Sequence, residues 1–244
     1  MTQQFGDNWE ATWKSMQVEL ESADLANFRR NTSLSKRLQS PQGNKVGWES
    51  YCNSIGVLPE WKKDTRIGNP SAIDGEGASA DSVKGAYILG RSLSLLPTRP
   101  ARVLEVGPGF GMVAEKLCRF GNIETYYFVD DPVMHKLQNY YMQEAGFIDK
   151  CVFGVSEPDC KVDLIISTFS LSEMSLSEIQ KYFRLFDRIS TTPGAMYLIQ
   201  YTKSGHKRVG WEKFPFSPQW EIKTKLLEGV KTKRFTEIVG ITKK

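Results

Sequence analysis

Histidine is scarce in this chain, with two copies in 244 residues, and the four cysteines form no CxxC pair. Zinc sites draw on clustered Cys and His at short spacings, so no metal is expected. Cys52, Cys118, Cys151 and Cys160 do not match a disulfide framework either, which predicts a reducing, cytoplasmic setting. The opening MTQQFGDNWEATWK has neither the basic n-region nor the apolar h-region of a secretory signal. Nowhere does an apolar run approach the ~20 residues that cross a bilayer, so a soluble protein is expected. Low-complexity tracts and internal repeats are missing as well. A dense basic stripe is also absent: net charge is only +4, and the late Lys203, Lys207, Arg208, Lys223 and Lys225 alternate with acids and apolar residues. That pattern argues against a dedicated nucleic-acid binder. An anionic acceptor, or one carried on a phosphate, is compatible with it, and a homodimer is left open.

What is present suffices for one full-sized catalytic domain and a modest appendage. Residues 7–30 read as a helix, with Trp9, Trp13, Met16, Leu20 and Phe28 at mostly helical spacing. Residues 31–82 are rich in Pro and Gly around Trp48, Tyr51 and Trp61, and read as loops with a short helix near 46–55. A helix over 80–96 follows, opening near Ser79 or Asp81 and stopping before Pro97.

From residue 101 apolar runs of strand length alternate with helical segments: RVLEVG, a helix near 111–120, YYFVD, a helix near 132–145, CVFGV, VDLIISTF, a helix near 175–190, and AMYLIQY. This rhythm predicts an α/β, doubly wound, mostly parallel sheet covered on both faces. WEIKTKLL and FTEIVGITKK then follow with only a short link, so the sheet should end in an antiparallel C-terminal hairpin, seven strands in all. The division expected is a mainly helical extension over 1–96, covering the acceptor side, and a Rossmann-like domain over 97–244.

The sharpest local pattern is Glu105-Val106-Gly107-Pro108-Gly109-Phe110-Gly111 after a buried strand. Gly107 and Gly109 allow a tight turn and close approach of the backbone to a ligand. The spacing is GxGxG rather than the dinucleotide GxGxxG, and an acid sits two residues ahead of the first glycine. A diphosphate would be repelled by Glu105; a ligand with a cationic amino-acid end, such as S-adenosylmethionine (SAM), tolerates it. Asp130 ends the next strand, 19 residues after Gly111, near the spacing at which a carboxylate meets ribose hydroxyls. Its neighbour Asp131, before Pro132, suits a helix cap better, though both are candidates. Ser167 and Thr168, at the end of the fourth strand, would line the same crevice. Neither an Asn/Asp-Pro-Pro-aromatic signature nor a Pro-Cys pair occurs there, which shifts weight from nitrogen or base carbon towards oxygen as the methyl acceptor.

The stretch Glu105–Gly111 resembles motif I of class I SAM-dependent methyltransferases. Tyr127-Phe128-Val129-Asp130-Asp131-Pro132 with Gln138-Asn139-Tyr140-Tyr141, Ser167-Thr168-Phe169-Ser170-Leu171-Ser172-Glu173-Met174, and Ile67-Gly68-Asn69-Pro70 resemble the sugar O-methyltransferases of bacterial polysaccharide and glycan clusters. The chain departs from that group at Asp131, where an aliphatic is usual, and at Ser167, where Asn is expected. The resemblance implies SAM as cofactor and O-methylation of a sugar hydroxyl on a small-molecule or glycan acceptor, with nucleotide- or lipid-linked sugars among the candidates. The alternatives are another small-molecule or nucleic-acid methyltransferase, or an inactive SAM-fold binding subunit.

A sugar hydroxyl is a poor nucleophile and calls for a general base. His206, in the loop after the fifth strand, and Glu173, just after the fourth, are the catalytic candidates. His135, early in a helix, reads as an ordinary partly exposed residue.

Overall fold

The computed structural model describes residues 14–30, 34, 38–70, 73–154, 158–204, 208–228 and 235–243. Its helices are α1 (14–22), α2 (Lys45–Ser54), α3 (Pro59–Lys62), α4 (Ala80–Leu93), α5 (Met112–Phe120), α6 (Pro132–Glu144) and α7 (Leu176–Ile189). The strands are β1 (Arg102–Val106), β2 (Thr125–Val129), β3 (Cys151–Phe153), β4 (Val162–Thr168), β5 (Ser190–Tyr201), β6 (Trp220–Leu227) and β7 (Phe235–Thr242).

Near-continuous apolar runs make β1, β2 and β4 fit only where both faces are covered. They pair in parallel with one another and with β3 and β5, in register Leu104↔Tyr127 and Leu104↔Ile165 around the central strand. The terminal hairpin lies antiparallel, and the sheet order is β3-β2-β1-β4-β5-β7-β6. This is the doubly wound, Rossmann-like sheet expected, with β7 tucked between β5 and β6.

Alternating side chains divide the interior into two cores. Val103, Tyr126, Phe128, Leu164, Ile166 and Tyr197 face one cluster, while Leu104, Val106, Ile165, Met196 and Leu198 face the other, against Ile179, Phe183 and Phe186 of α7. Local chemistry sets the helix starts. Ser79 and Ser82 form a reciprocal capping box on α4, Ser175 and Glu178 form another on α7, and Asp131 caps α6 with Pro132 in its first turn.

Residues before β1 share the first core: Trp48, Cys52, Val83 and Tyr87 are fully buried in the same cluster as Val103 and Tyr197. The expected helix over 7–30 ends earlier. Its described part stops at residue 22, and the Asp24 side chain then takes the Ala26 N–H to start a short 3-10 turn, Leu25–Asn27. Helical spacing gives way there because Phe28 and Arg29 plunge inward. The Phe28 ring packs 5.3 Å from Phe110, and Arg29 grips Asp64 with two hydrogen bonds of 2.7 Å. Likewise α4 ends at Leu93, short of 96, as Ser94 and Leu95 turn back onto the carbonyls of Arg91 and Ser92.

The Arg29–Asp64 pair has both side chains fully buried. Burial alone would raise the Asp64 carboxyl, but the hydrogen bonds and charge of Arg29 hold it below the usual carboxylate range, helped by Ser79. Removing one partner leaves the other charge stranded. Asp64→Ala is therefore expected to lower unfolding stability by about 3–5 kcal/mol, measured by urea denaturation.

Candidate functional site

Strand order reverses at β1 and β4, because β2 and β3 lie to one side and β5, β7 and β6 to the other. Connections diverge to opposite faces there, leaving a crevice beyond the carboxyl ends of the two strands. The turn leaving β1 lines it. Gly107, Gly109 and Gly111 all have positive φ, at 68°, 60° and 105°, which side-chain-bearing residues rarely adopt. A Cβ at Gly107 would lie 2.3 Å from the Ser170 Cβ, whereas one at Gly109 would meet open space. Pro108 is buried between them, and its carbonyl accepts the Gly111 N–H at 3.1 Å. Gly111 is the N-cap of α5.

Asp130, just beyond the end of β2, accepts the Asp131 N–H at 2.8 Å and a hydrogen bond from Gln138 Nε2 at 2.8 Å. The same Gln138 nitrogen donates to the Gly109 carbonyl at 2.9 Å, so one fully buried amide ties the acid to the glycine turn. Gln138 Oε1 is buried and finds no partner among the described residues. Burial pushes the Asp130 carboxyl up to about 7, against the pull of those two donors. Asp131 is occupied as the cap of α6, accepting the Val133 N–H.

Glu105, 1% exposed, is turned towards the Tyr126 hydroxyl, which donates to it at 2.6 Å. Burial raises its carboxyl to about 7, opposed by that hydrogen bond and by the charge of Lys84 on α4. Ser167 is also buried. Ser170 donates to the Val106 carbonyl at 2.7 Å, so the 2.8 Å contact between the two serines has Ser167 as donor. Gln200 Nε2 in turn donates to the Ser167 carbonyl at 3.0 Å. This relay holds Ser170 over Gly107. Thr168, half-buried, completes the strand end opposite Ile199.

Phe169 follows with φ 71°, strained for a bulky residue, and its N–H donates to Ile199. That turn sets its ring 4.7 Å from Phe235 and 6.2 Å from Tyr201, with the Lys84 amine 5.7 Å above it. The Arg208 guanidinium sits 3.9 Å over the Tyr201 ring. Glu173 is half-buried in the turn Leu171–Glu173. Burial raises the Tyr201 phenol; Arg208 opposes that rise and Glu173 adds to it, so acid, phenol and guanidinium share one field. His206 lies outside the described residues. His135 packs towards Phe153 on edge strand β3, away from the crevice. Among the described residues no three His, Cys, Asp or Glu side chains gather to hold a metal, and no helix is long and apolar enough to cross a membrane.

Sequence reasoning singled out the glycines, Glu105, Asp130, Ser167, Thr168 and Glu173. It gave no role to Gln138, Ser170, Gln200, Lys84 or Arg208, whose parts depend on contacts between distant segments. Gln138 stood in a quoted stretch, eight residues after Asp130, and that spacing on the following helix was the one available signal.

No protein-family model matches this chain, and no curated protein matches it. Solved structures do. The [4+2]-cyclase SpnF superposes with a TM-score of 0.54 at 14% identity, over 83% of this chain and 97% of that one. A SAM-dependent methyltransferase from Clostridium acetobutylicum gives 0.51 at 13% identity, over 65% and 91%. The YcgJ protein from Bacillus subtilis gives 0.50 at 14%, over 64% and 98%. At such identities the likeness shows the fold, which is the class I methyltransferase fold; SpnF carries the name of a different chemistry.

The buried Glu105 allows a pH test. Its folded value near 7 lies above the ordinary 4.5, so its favourable contribution is complete below about pH 4.5 and is lost as pH rises through 7. Glu105→Gln removes this titration. Thermal melts should show the variant gaining on the parent between pH 5 and 8, with the two curves converging near pH 4.5; parallel curves would refute the assignment.

Proposed function

We propose that this chain is a SAM-dependent methyltransferase that O-methylates a sugar hydroxyl in bacterial glycan or polysaccharide biosynthesis. One observation carries the cofactor part. Three alternating glycines of positive φ, Gly107, Gly109 and Gly111, line the crevice at the reversal of strand order, linked through Gln138 to a carboxylate at the end of β2. The chemistry of the crevice fits SAM. Open space at Gly109 lets a ligand lie against bare backbone. Asp130 would accept hydrogen bonds from the two ribose hydroxyls, and the orphan Gln138 Oε1 leaves one buried acceptor for a ligand donor. Glu105, beneath the turn, favours the cationic amino-acid end over a diphosphate. Pro108 and Gly111 shape the turn, and Ser167 and Thr168 border it; Asp131 contributes through the α6 cap.

Bound SAM supplies a methyl carbon made electrophilic by its sulfonium. The chain then has to hold an acceptor oxygen in line with that carbon, take away its proton and exclude water. Glu173 and His206 are the bases assigned to the proton, which leaves the hydroxyl as the new O–C bond forms. Described residues ahead of β1, among them Trp48, Cys52 and Tyr87, share the first core, and the extension over 1–96 covers the acceptor side in this reading. The sugar as acceptor is supported by the resemblance of the Ser167–Met174 and Tyr127–Pro132 stretches to sugar O-methyltransferases and by the aromatic wall beside Glu173.

Calorimetric titration with SAM and S-adenosylhomocysteine tests the cofactor. Asp130→Ala should weaken binding by about 1.5–3 kcal/mol, the usual loss for charged hydrogen bonds, and an unchanged affinity removes Asp130 from the site. A radiolabelled methyl-transfer screen over nucleotide sugars and short glycans tests the reaction. In the positive assay, Glu173→Gln and His206→Ala are expected to cut turnover while sparing cofactor affinity. Binding without transfer to any acceptor would favour a binding subunit instead.

A further inference from the structure

Two acceptors meet one donor group beside the glycine turn. Gln138, on α6 and fully buried, directs one amide hydrogen to the Gly109 carbonyl at 2.9 Å and the other to Asp130 Oδ2 at 2.8 Å. Turned the other way, the amide would set Oε1 against a carbonyl and a carboxylate, so the two acceptors dictate its orientation. That orientation is kept although Oε1 is left without a donor among the described residues, which costs free energy in a buried group. Asp130 has no cation to balance it: among the described residues it enters no ion pair, and its other donor is the Asp131 N–H at 2.8 Å. The charges that act on it share its sign. Asp131, next in the chain, and Glu105, on β1, both repel it, and it in turn raises the Tyr182 phenol of α7. The cations nearby act elsewhere, Lys84 of α4 on Glu105 and His135 of α6 with Asp131. A carboxylate so placed is held ionised by neutral N–H donors alone.

We infer that Gln138 is a positioning residue of the cofactor site: its two amide hydrogens fix the Asp130 carboxylate and the Gly109 carbonyl relative to one another, and thereby set the pH above which a nucleoside is taken up. Ribose hydroxyls are donors, and a charged carboxylate is the acceptor that takes them best. Burial works against that charge and raises the Asp130 carboxyl to about 7, while the Asp131 N–H and the Gln138 amide oppose the rise. With the Gln138 donor gone the neutral acid gains, and the nucleoside loses its acceptor at a pH where the parent still binds. The same change frees the Gly109 carbonyl, at the place where a ligand meets bare backbone. Gln138 acts here through Asp130, so the inference rests on the methyltransferase reading and adds to it a residue of α6.

The probe is 5′-methylthioadenosine, which carries the nucleoside but neither an amino nor a carboxyl group, titrated into the full chain by calorimetry from about pH 5.5 to about pH 8.5. For the parent, affinity is expected to climb with pH through a midpoint near 7, as Asp130 loses its proton, and to level off above it. Asp130→Asn should flatten the profile and Glu105→Gln should keep the step, which separates the two buried acids. Gln138→Met, similar in size to the parent side chain and without a donor, should move the midpoint up by about one pH unit or more, the effect of one lost hydrogen bond to a charged group. Should that variant fail to fold, Gln138→Glu takes its place with the same expectation. A lost ligand contact to Oε1, or a loosened fold, would lower affinity by one factor at every pH and leave the midpoint in place. That result overturns the inference, as does a parent with no step or a step that survives in Asp130→Asn; in each of these the probe still binds, and the cofactor reading stands. If neither the probe nor S-adenosylhomocysteine binds at any pH, the methyltransferase reading falls and the inference with it.

Discussion

The turn leaving β1 is the constraint on which the rest of the site depends. Within five residues the backbone takes positive φ three times, at Gly107, Gly109 and Gly111. Only a residue without a Cβ does this at low cost. The turn brings Gly107 under Ser170, and it points the Gly109 carbonyl at Gln138. Everything that borders the crevice is positioned from there: Asp130 through Gln138, and Ser170 through Ser167 and Gln200. The side chains at the rim are thereby held by buried hydrogen bonds rather than by packing alone.

The second theme is the number of ionisable groups that this chain buries around that turn. Arg29 and Asp64 neutralise each other behind Phe110. Lys116, on α5, is pulled down by burial and satisfied by the carbonyls of Trp61 and Lys63. Glu237 of β7 takes donors from Tyr87 and Arg91 of α4. The first pair lies within the segment ahead of β1, whereas Lys116 and Glu237 take their partners across from it, so that segment is bonded to α5 and to β7 by directional contacts. Such pairs contribute little net stability over an apolar core, yet breaking one is expensive. They fix where the segment sits rather than how tightly it adheres.

Much of this was legible beforehand, for reasons that differ by element. The parallel strands and the hairpin announced themselves as apolar runs of the right length, and the caps at Ser79 and Asp131 followed from local chemistry. Glycine spacing and the Gly111–Asp130 interval pointed to the turn and the strand end that border the crevice, because close backbone approach demands particular residues at particular offsets. The helix over 7–30 misled because Phe28 keeps helical spacing with Met16 and Leu20, while the interaction that ends the helix, Arg29 with Asp64, spans 35 residues. Gln138, Lys84 and Arg208 escaped for the same reason. A polar side chain on a helix or in a loop looks solvated until the fold shows what it faces.

One feature of the topology bears on how the molecule assembles. β7 follows β6 in the chain but lies inside it, pairing with β5 over Tyr201↔Phe235 through Ala195↔Ile241. Until that strand is available, β5 offers an open edge over residues 195–201, largely buried and apolar in character, a template for unwanted pairing between nascent chains. Chain elongation thus leaves the sheet unsealed until β7 is made, and loss of that strand would bare an adhesive margin rather than trim a dispensable one.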